Sequence, residues 1–261
     1  MVIGIDKFRE YFKDFPGSYV IIGGTACDMV IGAAGLTPRA TKDIDIILIV
    51  EALTSDFVQQ FWEFIKDGNY EKSEKSTAER KYYRFLKPVS TDFPYQIELF
   101  SRKPDILKME GEPHLTPIPV DDDLSSLSAI LLNDWYYRFT IDHSIQDDDL
   151  NRANTEALIC LKAKAFLDMQ ARKDKGEKID ERQIRKHKGD VFRLVLLVPS
   201  ETVFVLPEEI QVDMQLFINI VKNDLPDPAI FKEMGAGNID AIALFNQLIK
   251  NFNLKSIDPM V

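Results

Sequence analysis

The sequence predicts an α+β fold, with a small mixed sheet flanked by helices, followed by a mainly helical C-terminal part. Up to about Phe100, short β-branched runs alternate with apolar residues at helical spacing, whereas from Asn154 onward the apolar spacing is helical throughout. At about 150 residues per domain, 261 residues fit one large domain or two modest ones. We therefore expect a first domain over residues 1–120 and a helical domain over residues 121–261.

The elements of the first part follow from periodicity and from turn residues. Phe8, Phe12 and Phe15 recur at helical spacing, and Pro16-Gly17 ends that helix. Apolar, β-branched runs without this spacing indicate buried strands. In chain order we predict a helix over 8–15, a strand over 18–22, a helix over 25–31, a strand over 43–50, a helix over 57–65 and strands over 81–86 and 95–100.

The second part follows a proline-rich connector over residues 113–119 and an acidic run that we interpret as a solvated loop or helix start. Residues 126–132 are ambiguous between strand and helix. Further along, the apolar spacing is typical of helices that bury one face. The predicted helices cover residues 155–169, 180–198, 207–222 and 236–252.

Composition excludes several classes of protein. An apolar fraction of 45% in 261 residues supports a folded core rather than a disordered chain. The sequence contains no apolar run of about 18 residues, so we expect no membrane span. Two cysteines and no signal-peptide pattern indicate a reducing, cytoplasmic setting. The net charge of −10 argues against nucleic-acid binding through bulk charge, although it leaves a local basic patch open.

The first candidate site is the Gly23-Gly24-Thr25 segment, where a predicted strand passes into a predicted helix. Two glycines let the backbone approach a ligand closely, and a helix N-terminus presents free N–H groups that favour phosphate. Thr25 adds a hydroxyl donor. The alternative is an ordinary Gly-Gly turn, which also often precedes a helix.

A second candidate site begins the next predicted strand. Because side chains alternate along a strand, Asp43 and Asp45 are expected on one face and Ile44 on the other. Two neighbouring carboxylates repel each other, and Mg²⁺ or Mn²⁺ bound jointly with substrate phosphates would relieve this repulsion. The alternative is a pair of solvated acids at a strand edge.

Glu98 is the acid within the predicted strand over residues 95–100. If that strand lies next to the Asp43/Asp45 strand, Glu98 completes a three-carboxylate cluster of the kind that binds metal in polymerase-like sites. The alternative is an outward-facing residue on an edge strand. Arg80, Lys81 and Arg84 could contact phosphates, but we interpret them as the outward basic face of a strand.

Together these motifs resemble those of the nucleotidyltransferase superfamily related to DNA polymerase β. Gly23-Gly24-Thr25 is followed 18 residues later by Asp43-Ile44-Asp45, and a lone acid follows on a later strand. The string R-A-T-K-D-I-D over residues 39–45 resembles the AbiEii group, the toxin half of AbiE-type abortive-infection systems. K-A-K-A-F over residues 162–166 matches that group's K-x-x-A-[LF] motif.

The resemblance covers about residues 18 to 195. The group next carries a basic-acidic pair followed by an aspartate, where this chain has K-H-K-G-D over residues 186–190. His187 stands at the position of the acid, so only Asp190 carries over.

The resemblance implies a nucleotidyltransferase fold and transfer of a nucleoside monophosphate from an NTP to an acceptor hydroxyl. It implies that Asp43, Asp45 and Glu98 bind Mg²⁺ or Mn²⁺ and that Glu98 takes the acceptor's proton. It further implies a toxin whose acceptor is tRNA or a protein, with a cognate antitoxin as a second partner. The implied nucleotide-binding residues are Gly23, Gly24, Thr25, Lys162 and Asp190.

The helical spacing supports Lys162 independently of the resemblance. Lys162 interrupts an apolar stripe that includes Leu158 and Phe166, where an unpaired charge is costly. A substrate phosphate or a site carboxylate would satisfy it, and the alternative is a side chain that reaches solvent along its own methylenes. Lys164 is expected at the surface, in an exposed pair with Asp168.

Two other functions stay open at this point. One is a nucleotidyltransferase that modifies a small molecule, such as an antibiotic. The other is a non-catalytic nucleotide-binding module on the same fold, which would not need all three carboxylates. The acidic net charge fits a tRNA acceptor less well than the other acceptors.

Overall fold

The chain is mixed α and β, as predicted, in a computed structural model that describes residues 3–72, 82–100 and 133–255. The described residues form two units. The first unit contains residues 3–28, 40–72, 82–100 and 140–154, and the second contains residues 29–39, 133–139 and 155–255. The predicted boundary at residue 120 and the segments predicted over 113–119 and 126–132 lie outside the described residues.

Most helices and strands agree with the predicted ones to within a few residues. The strands are β1 (Tyr19–Ile22), β2 (Asp43–Leu48), β3 (Glu71–Lys72), β4 (Tyr82–Leu86), β5 (Gln96–Phe100), β6 (Ser144–Asp147) and β7 (Leu150–Ala153). The helices are α1 (Ile5–Phe12), α2 (Gly23–Ala33), α3 (Ser55–Asp67), α4 (Asp134–Asp142), α5 (Thr155–Asp174), α6 (Glu181–Val195), α7 (Glu208–Val221), α8 (Ala229–Glu233) and α9 (Ala241–Asn251).

The first unit is built on one mixed sheet with the strand order β3-β4-β5-β2-β1-β7-β6. β2 runs parallel to β5 and antiparallel to β1, and β1 runs parallel to β7. The outer pairs β3–β4, β4–β5 and β6–β7 are antiparallel. The predicted strands that carry Asp45 and Glu98 are therefore direct neighbours in the centre of the sheet.

One face of this sheet is covered by an aromatic core. Phe8 of α1 lies 5.4 Å from Tyr19 of β1, and Phe61 of α3 lies 5.6 Å from Phe85 of β4, measured between ring centroids. All four side chains are buried. Since side chains alternate along a strand, the register places Ile44 on this aromatic face and its neighbours Asp43 and Asp45 on the opposite one.

Among the described residues, the sequence analysis assigned no element at four places: β3, α4, the β6–β7 hairpin and α8. The hairpin turns at Asp148 and Asp149, whose φ values are 48° and 64°. A two-residue hairpin turn of type I′ needs positive φ at both positions, and aspartate tolerates this conformation better than most residues. Asn151 also fixes the hairpin to β1, because its side-chain amide donates to the carbonyl oxygen of Tyr19 at 2.9 Å.

The second unit is helical. Its α5 is buried on nearly every side, packing against α6 and α7, and Phe166 of α5 lies 5.2 Å from Phe217 of α7. Asp180 and Asp240 cap α6 and α9 by accepting from backbone N–H groups of the first turn. Among the described helices, none combines the length and apolarity needed to cross a lipid bilayer. Both cysteines are buried, Cys27 in the first unit and Cys160 in the second.

Candidate functional site

The strand β1 passes into α2 at Gly23 without an intervening loop. Gly23 has a φ of 70°, in the left-handed region that glycine adopts without steric cost. A β-carbon at this position would overlap Oδ2 of Asp45 and stand 2.8 Å from its Cγ. The backbone of the turn therefore lies directly against the Asp45 carboxyl group, an approach that only glycine allows.

The next two residues bind the turn to the start of β2. A β-carbon on Gly24 would stand 3.1 Å from Cγ2 of Thr41, so this position is also tight, although Gly24 itself stays partly exposed. Thr25 is buried, and its hydroxyl donates to the backbone carbonyl of Asp43. This hydroxyl was predicted to bind phosphate, whereas here its proton is used within the protein and Thr25 fixes the position of β2.

The alternation predicted for β2 is confirmed. Ile44 is fully buried, whereas Asp43 and Asp45 are partly exposed on the same face. In the parallel pairing with β5, Asp43 lies opposite Gln96 and Asp45 opposite Glu98. Glu98 therefore shares the face of the two aspartates, and we refer to Asp43, Asp45 and Glu98 as the carboxylate face.

Glu98 has two side-chain donors from its neighbours in the sheet. Nη2 and Nε of Arg84 lie 2.7 and 2.9 Å from its Oε1, and Nε2 of Gln96 lies 2.8 Å from the same oxygen. Arg84 is partly exposed, in agreement with a basic outward face, but its ion pair with Glu98 was not predicted. Arg80 and Lys81 lie outside the described residues. Antiparallel pairing places Arg84 directly opposite Glu98, so its guanidinium group neutralises a site carboxylate.

Mg²⁺ prefers carboxylate oxygens, and the two aspartates fit this preference because both lie partly exposed on one face of β2. Glu98 fits less well in the present arrangement, because its Oε1 accepts from Arg84 and Gln96. Within residues 3–72, 82–100 and 133–255, no three His, Cys, Asp or Glu side chains are grouped to hold a metal ion. The three-carboxylate metal site therefore stays a prediction.

Lys162 and Asp190 form a buried ion pair in the second unit. The Lys162 Nζ lies 3.0 Å from Oδ2 of Asp190, and both side chains are 2% exposed. Arg39 contacts the same oxygen at 2.8 Å, and Arg193 lies 3.3 Å from the other oxygen. We call these four residues the Asp190 cluster, in which three cations surround one carboxylate.

The charges in this cluster decide the protonation of Asp190. Burial alone would raise the pKa of the Asp190 carboxyl, but the cations Lys162 and Arg39 outweigh burial and hold the pKa below its usual value. The carboxylate is therefore ionised at neutral pH. The ionised Asp190 carboxylate satisfies the charge of Lys162 on a buried helix. A carboxylate was one of the two kinds of partner predicted for Lys162.

The prediction for the neighbouring lysine missed one of its partners. Lys164 is partly exposed, as expected, and its Nζ lies 2.8 Å from Asp213 of α7. It also acts on the predicted partner, because burial raises the pKa of Asp168 and the charge of Lys164 opposes that rise. The i,i+4 spacing pointed to Asp168, whereas packing of α5 against α7 supplies a carboxylate that sequence spacing does not reveal.

His187 is a residue whose burial the sequence did not indicate. It is 6% exposed, and its Nδ1 has no hydrogen-bond partner among the described residues. Burial, together with the positive charge of Lys162, lowers the pKa of His187 to about 3. The imidazole is therefore neutral at physiological pH.

No protein-family model and no curated protein matches this chain. The functional interpretation rests on two groups of side chains, each described within its own unit. The first is the carboxylate face with its Gly23 turn, and the second is the Asp190 cluster with His187.

Proposed function

We propose that the protein is a Mg²⁺-dependent nucleotidyltransferase that moves a nucleoside monophosphate from an NTP to an acceptor hydroxyl, on a nucleotidyltransferase fold. The observation that carries this proposal is the close approach of the Gly23 turn to Asp45, on a strand that also places Asp45 opposite Glu98. A phosphate-binding turn and a carboxylate pair within one short stretch of chain suit a reaction on a nucleotide triphosphate.

The Gly23 turn would bind the triphosphate. The first N–H groups of a helix have no intrahelical acceptor, and they attract anions. In α2 these groups belong to Gly23, Gly24 and Thr25, and Gly24 is partly exposed. At Gly23 and Gly24 the missing side chains bring this backbone close to the Asp45 carboxyl group and to Thr41, so a triphosphate bound here would lie next to Asp45.

Asp43 and Asp45 would hold the divalent cation. When bound, Mg²⁺ supplies positive charge that offsets the triphosphate and makes the acceptor hydroxyl more acidic. The acceptor oxygen forms a bond to the α-phosphorus, the bond to the bridging oxygen breaks, and pyrophosphate leaves. Glu98 would take the proton of the acceptor hydroxyl. Most of the rate enhancement would come from the positioning of the reactants and from electrostatic stabilisation of the transition state.

Lys162 and Asp190 keep a proposed role in nucleotide binding. Support comes from the motif resemblance and from Arg39, which contacts Asp190 and is 30% exposed, so that one cation of the Asp190 cluster borders solvent. In this role Lys162 would neutralise charge on the triphosphate, and Asp190 would fix the position of the Lys162 ammonium group.

The test is transfer of label from four α-labelled NTPs, with Mg²⁺ and cell extract, to any acceptor fraction. The wild type is expected to label one fraction, and Asp45→Asn to lose the labelling while keeping its fold. Asp92→Asn is a matched control, since it makes the same chemical change at an exposed acid of the same unit. Equal labelling by all three proteins would refute the proposal.

The labelled fraction also separates the candidate acceptors. Label in tRNA or in protein supports the macromolecular acceptors, and label in small molecules supports the antibiotic-type enzyme. A non-catalytic nucleotide-binding module is favoured by one observation, the ion pair that joins Arg84 to Glu98. Nucleotide binding without any transfer of label would support that alternative.

The biological role we propose is that of the toxin in a toxin–antitoxin pair, on the basis of the motif resemblance. Induced expression of the wild type should then arrest growth of the host cell, and Asp45→Asn should relieve the arrest at equal protein level. A protein encoded beside the toxin that restores growth would be the antitoxin. Normal growth on expression of an active transferase would argue against this role.

A further inference from the structure

Helix α7 is apolar on two sides. Its inner side, which includes Met214 and Phe217, is buried and packs against α5. Its outer side carries three large apolar side chains, Val212, Leu216 and Ile220, which are 61%, 47% and 38% exposed. Because residues four apart lie on one side of a helix, these three form a stripe over two turns, which we call the α7 stripe. A surface helix ordinarily carries polar residues on its outer side, so the α7 stripe marks an interaction surface.

The two ends of the α7 stripe carry opposite charges. Glu208 and Glu209 are exposed in the first turn of α7, and Lys222 is partly exposed directly after its last turn. None of the three forms an ion pair with another residue that the structure describes. Glu208 and Lys222 are two heptads apart, so they lie on the same side of the helix. Roughly 20 Å of helix separates them, so they cannot pair within one chain.

This charge pattern is complementary to itself when a second copy of α7 runs antiparallel. A two-fold axis near the middle of α7 places Val212 of one copy against Leu216 of the other, and it places Glu208 beside Lys222 of the second copy at both ends. The ionised residue between these ends, Asp213, lies 2.8 Å from Lys164 of its own chain, so it brings no unpaired charge to the contact. A parallel alignment would instead place the two acidic ends together.

We propose that the α7 stripe is the contact surface of a homodimer, in which α7 packs antiparallel against α7 of a second copy of the chain. This inference goes beyond the proposed function and does not depend on it. Val203 and Val205, which are 56% and 87% exposed just before α7 in the chain, enlarge the apolar surface. Stable interfaces bury about 800 Å² on each partner, and one helix face supplies less, so we expect a weak dimer with a dissociation constant on the order of 10–100 µM.

The test is sedimentation equilibrium of the full chain from about 5 to about 500 µM, the range that brackets the expected dissociation constant. The average mass of the wild type should rise with concentration from the monomer value of 29.9 kDa towards twice that value. Leu216→Glu places two carboxylates against the apolar centre of the contact and should weaken the dimer at least tenfold. A wild type that stays monomeric over the whole range would overturn the inference, including the case in which a different protein covers the stripe.

Ile242→Glu is the matched control, because Ile242 of α9 is 50% exposed in the same helical unit and receives the same kind of charge. This variant should dimerise as the wild type does. Circular dichroism shows whether both glutamate variants keep their fold. Equal weakening of the dimer by Leu216→Glu and Ile242→Glu would mean that added charge, and not the α7 stripe, decides association, which would overturn the inference.

Charge reversal tests the antiparallel orientation. Lys222→Glu places a glutamate beside Glu208 of the second copy at both ends, and it should weaken the dimer by roughly threefold to tenfold. The double variant Lys222→Glu with Glu208→Lys exchanges the two charges and should restore the wild-type dissociation constant, because the pairs are complementary again. A dimer that Lys222→Glu tightens, or that the double variant fails to restore, would contradict the antiparallel contact.

Discussion

The carboxylate face and the Asp190 cluster differ in the sign of the charges they gather and in how deeply those charges are buried. On the carboxylate face, three acids lie on one side of the sheet; the two aspartates are partly exposed, and Glu98 is in contact with Arg84. In the Asp190 cluster, three cations share one acid, and Lys162 and Asp190 are both 2% exposed. The first group therefore gathers acids at a partly exposed surface, and the second gathers cations around a buried carboxylate.

This contrast predicts that the loss of a carboxylate has different consequences in the two places. Partly exposed carboxylates lose little to desolvation, so their mutual repulsion is tolerated. Buried ions tolerate no such imbalance, since a buried charge without a partner is expensive. We therefore expect the same substitution, aspartate to asparagine, to act with opposite sign in the two places.

The largest effect is expected for Asp190→Asn. The substitution removes the carboxylate that holds Lys162, Arg39 and Arg193, and it leaves a buried ammonium group without its anion. Breaking a buried ion pair by removing one partner costs about 3–5 kcal/mol of stability. Urea denaturation of both proteins at neutral pH measures this difference.

Two further variants sharpen this prediction. Asp174→Asn, at an exposed end of α5, should change stability by less than about 0.5 kcal/mol. The double variant Asp190→Asn with Lys162→Met should recover part of the loss, because the buried charge is gone as well. If Asp190→Asn costs no more than Asp174→Asn does, the cluster does not stabilise the helical unit.

The next effect concerns pH and His187. The folded state keeps this imidazole neutral down to about pH 3, whereas the unfolded chain protonates near its ordinary value of 6.5. Below pH 6.5 the unfolded state therefore binds more protons, and stability falls as the pH falls. From pH 8 to pH 5 the loss attributable to His187 is about 2 kcal/mol.

His187→Gln removes this proton uptake and should lose correspondingly less stability over the same range. Asp190 titrates in a separate, more acidic pH range. Because its pKa is lowered in the folded state, its contribution to stability is complete above the ordinary value of 3.8 and is lost as the pH falls below that value. Stability curves of the two proteins at pH 5, 6, 7 and 8 measure the difference. Parallel curves would show that His187 can be protonated in the folded state.

The sequence predicted the carboxylate face better than the Asp190 cluster, for a physical reason. Alternation along a strand has a period of two, so the common face of Asp43 and Asp45 follows from adjacency alone. The Gly23 turn follows from the same local logic, because glycine alone accepts a positive φ so close to a carboxylate.

The remaining features depend on contacts between distant segments. The pairing of Arg84 with Glu98 requires the register of β4 on β5, which the intervening turn does not specify. A stripe on one face was predicted for α5, but this helix is buried on nearly all sides, so the partner of Lys162 came from α6. The β6–β7 hairpin was missed because its signal, Asp148-Asp149, is an uncommon pair of positive-φ residues.

The smallest expected effect, and the one of opposite sign, is that of Asp45→Asn in the absence of metal. Asp45 lies opposite Glu98 and on the same face as Asp43, so removing its charge lowers repulsion within the sheet. With EDTA present, the thermal stability of the variant should equal that of the wild type or exceed it by about 0.2–1 kcal/mol. Adding Mg²⁺ and an NTP should make the wild type the more stable of the two proteins, because a ligand that binds only the folded state stabilises it more the more tightly it binds.

Differential scanning calorimetry in EDTA and with Mg²⁺ and NTP measures both differences in stability, with Asp92→Asn as the matched control. A lower stability of Asp45→Asn in EDTA would mean that Asp45 is held by favourable contacts, and the contrast with the Asp190 cluster would then be lost.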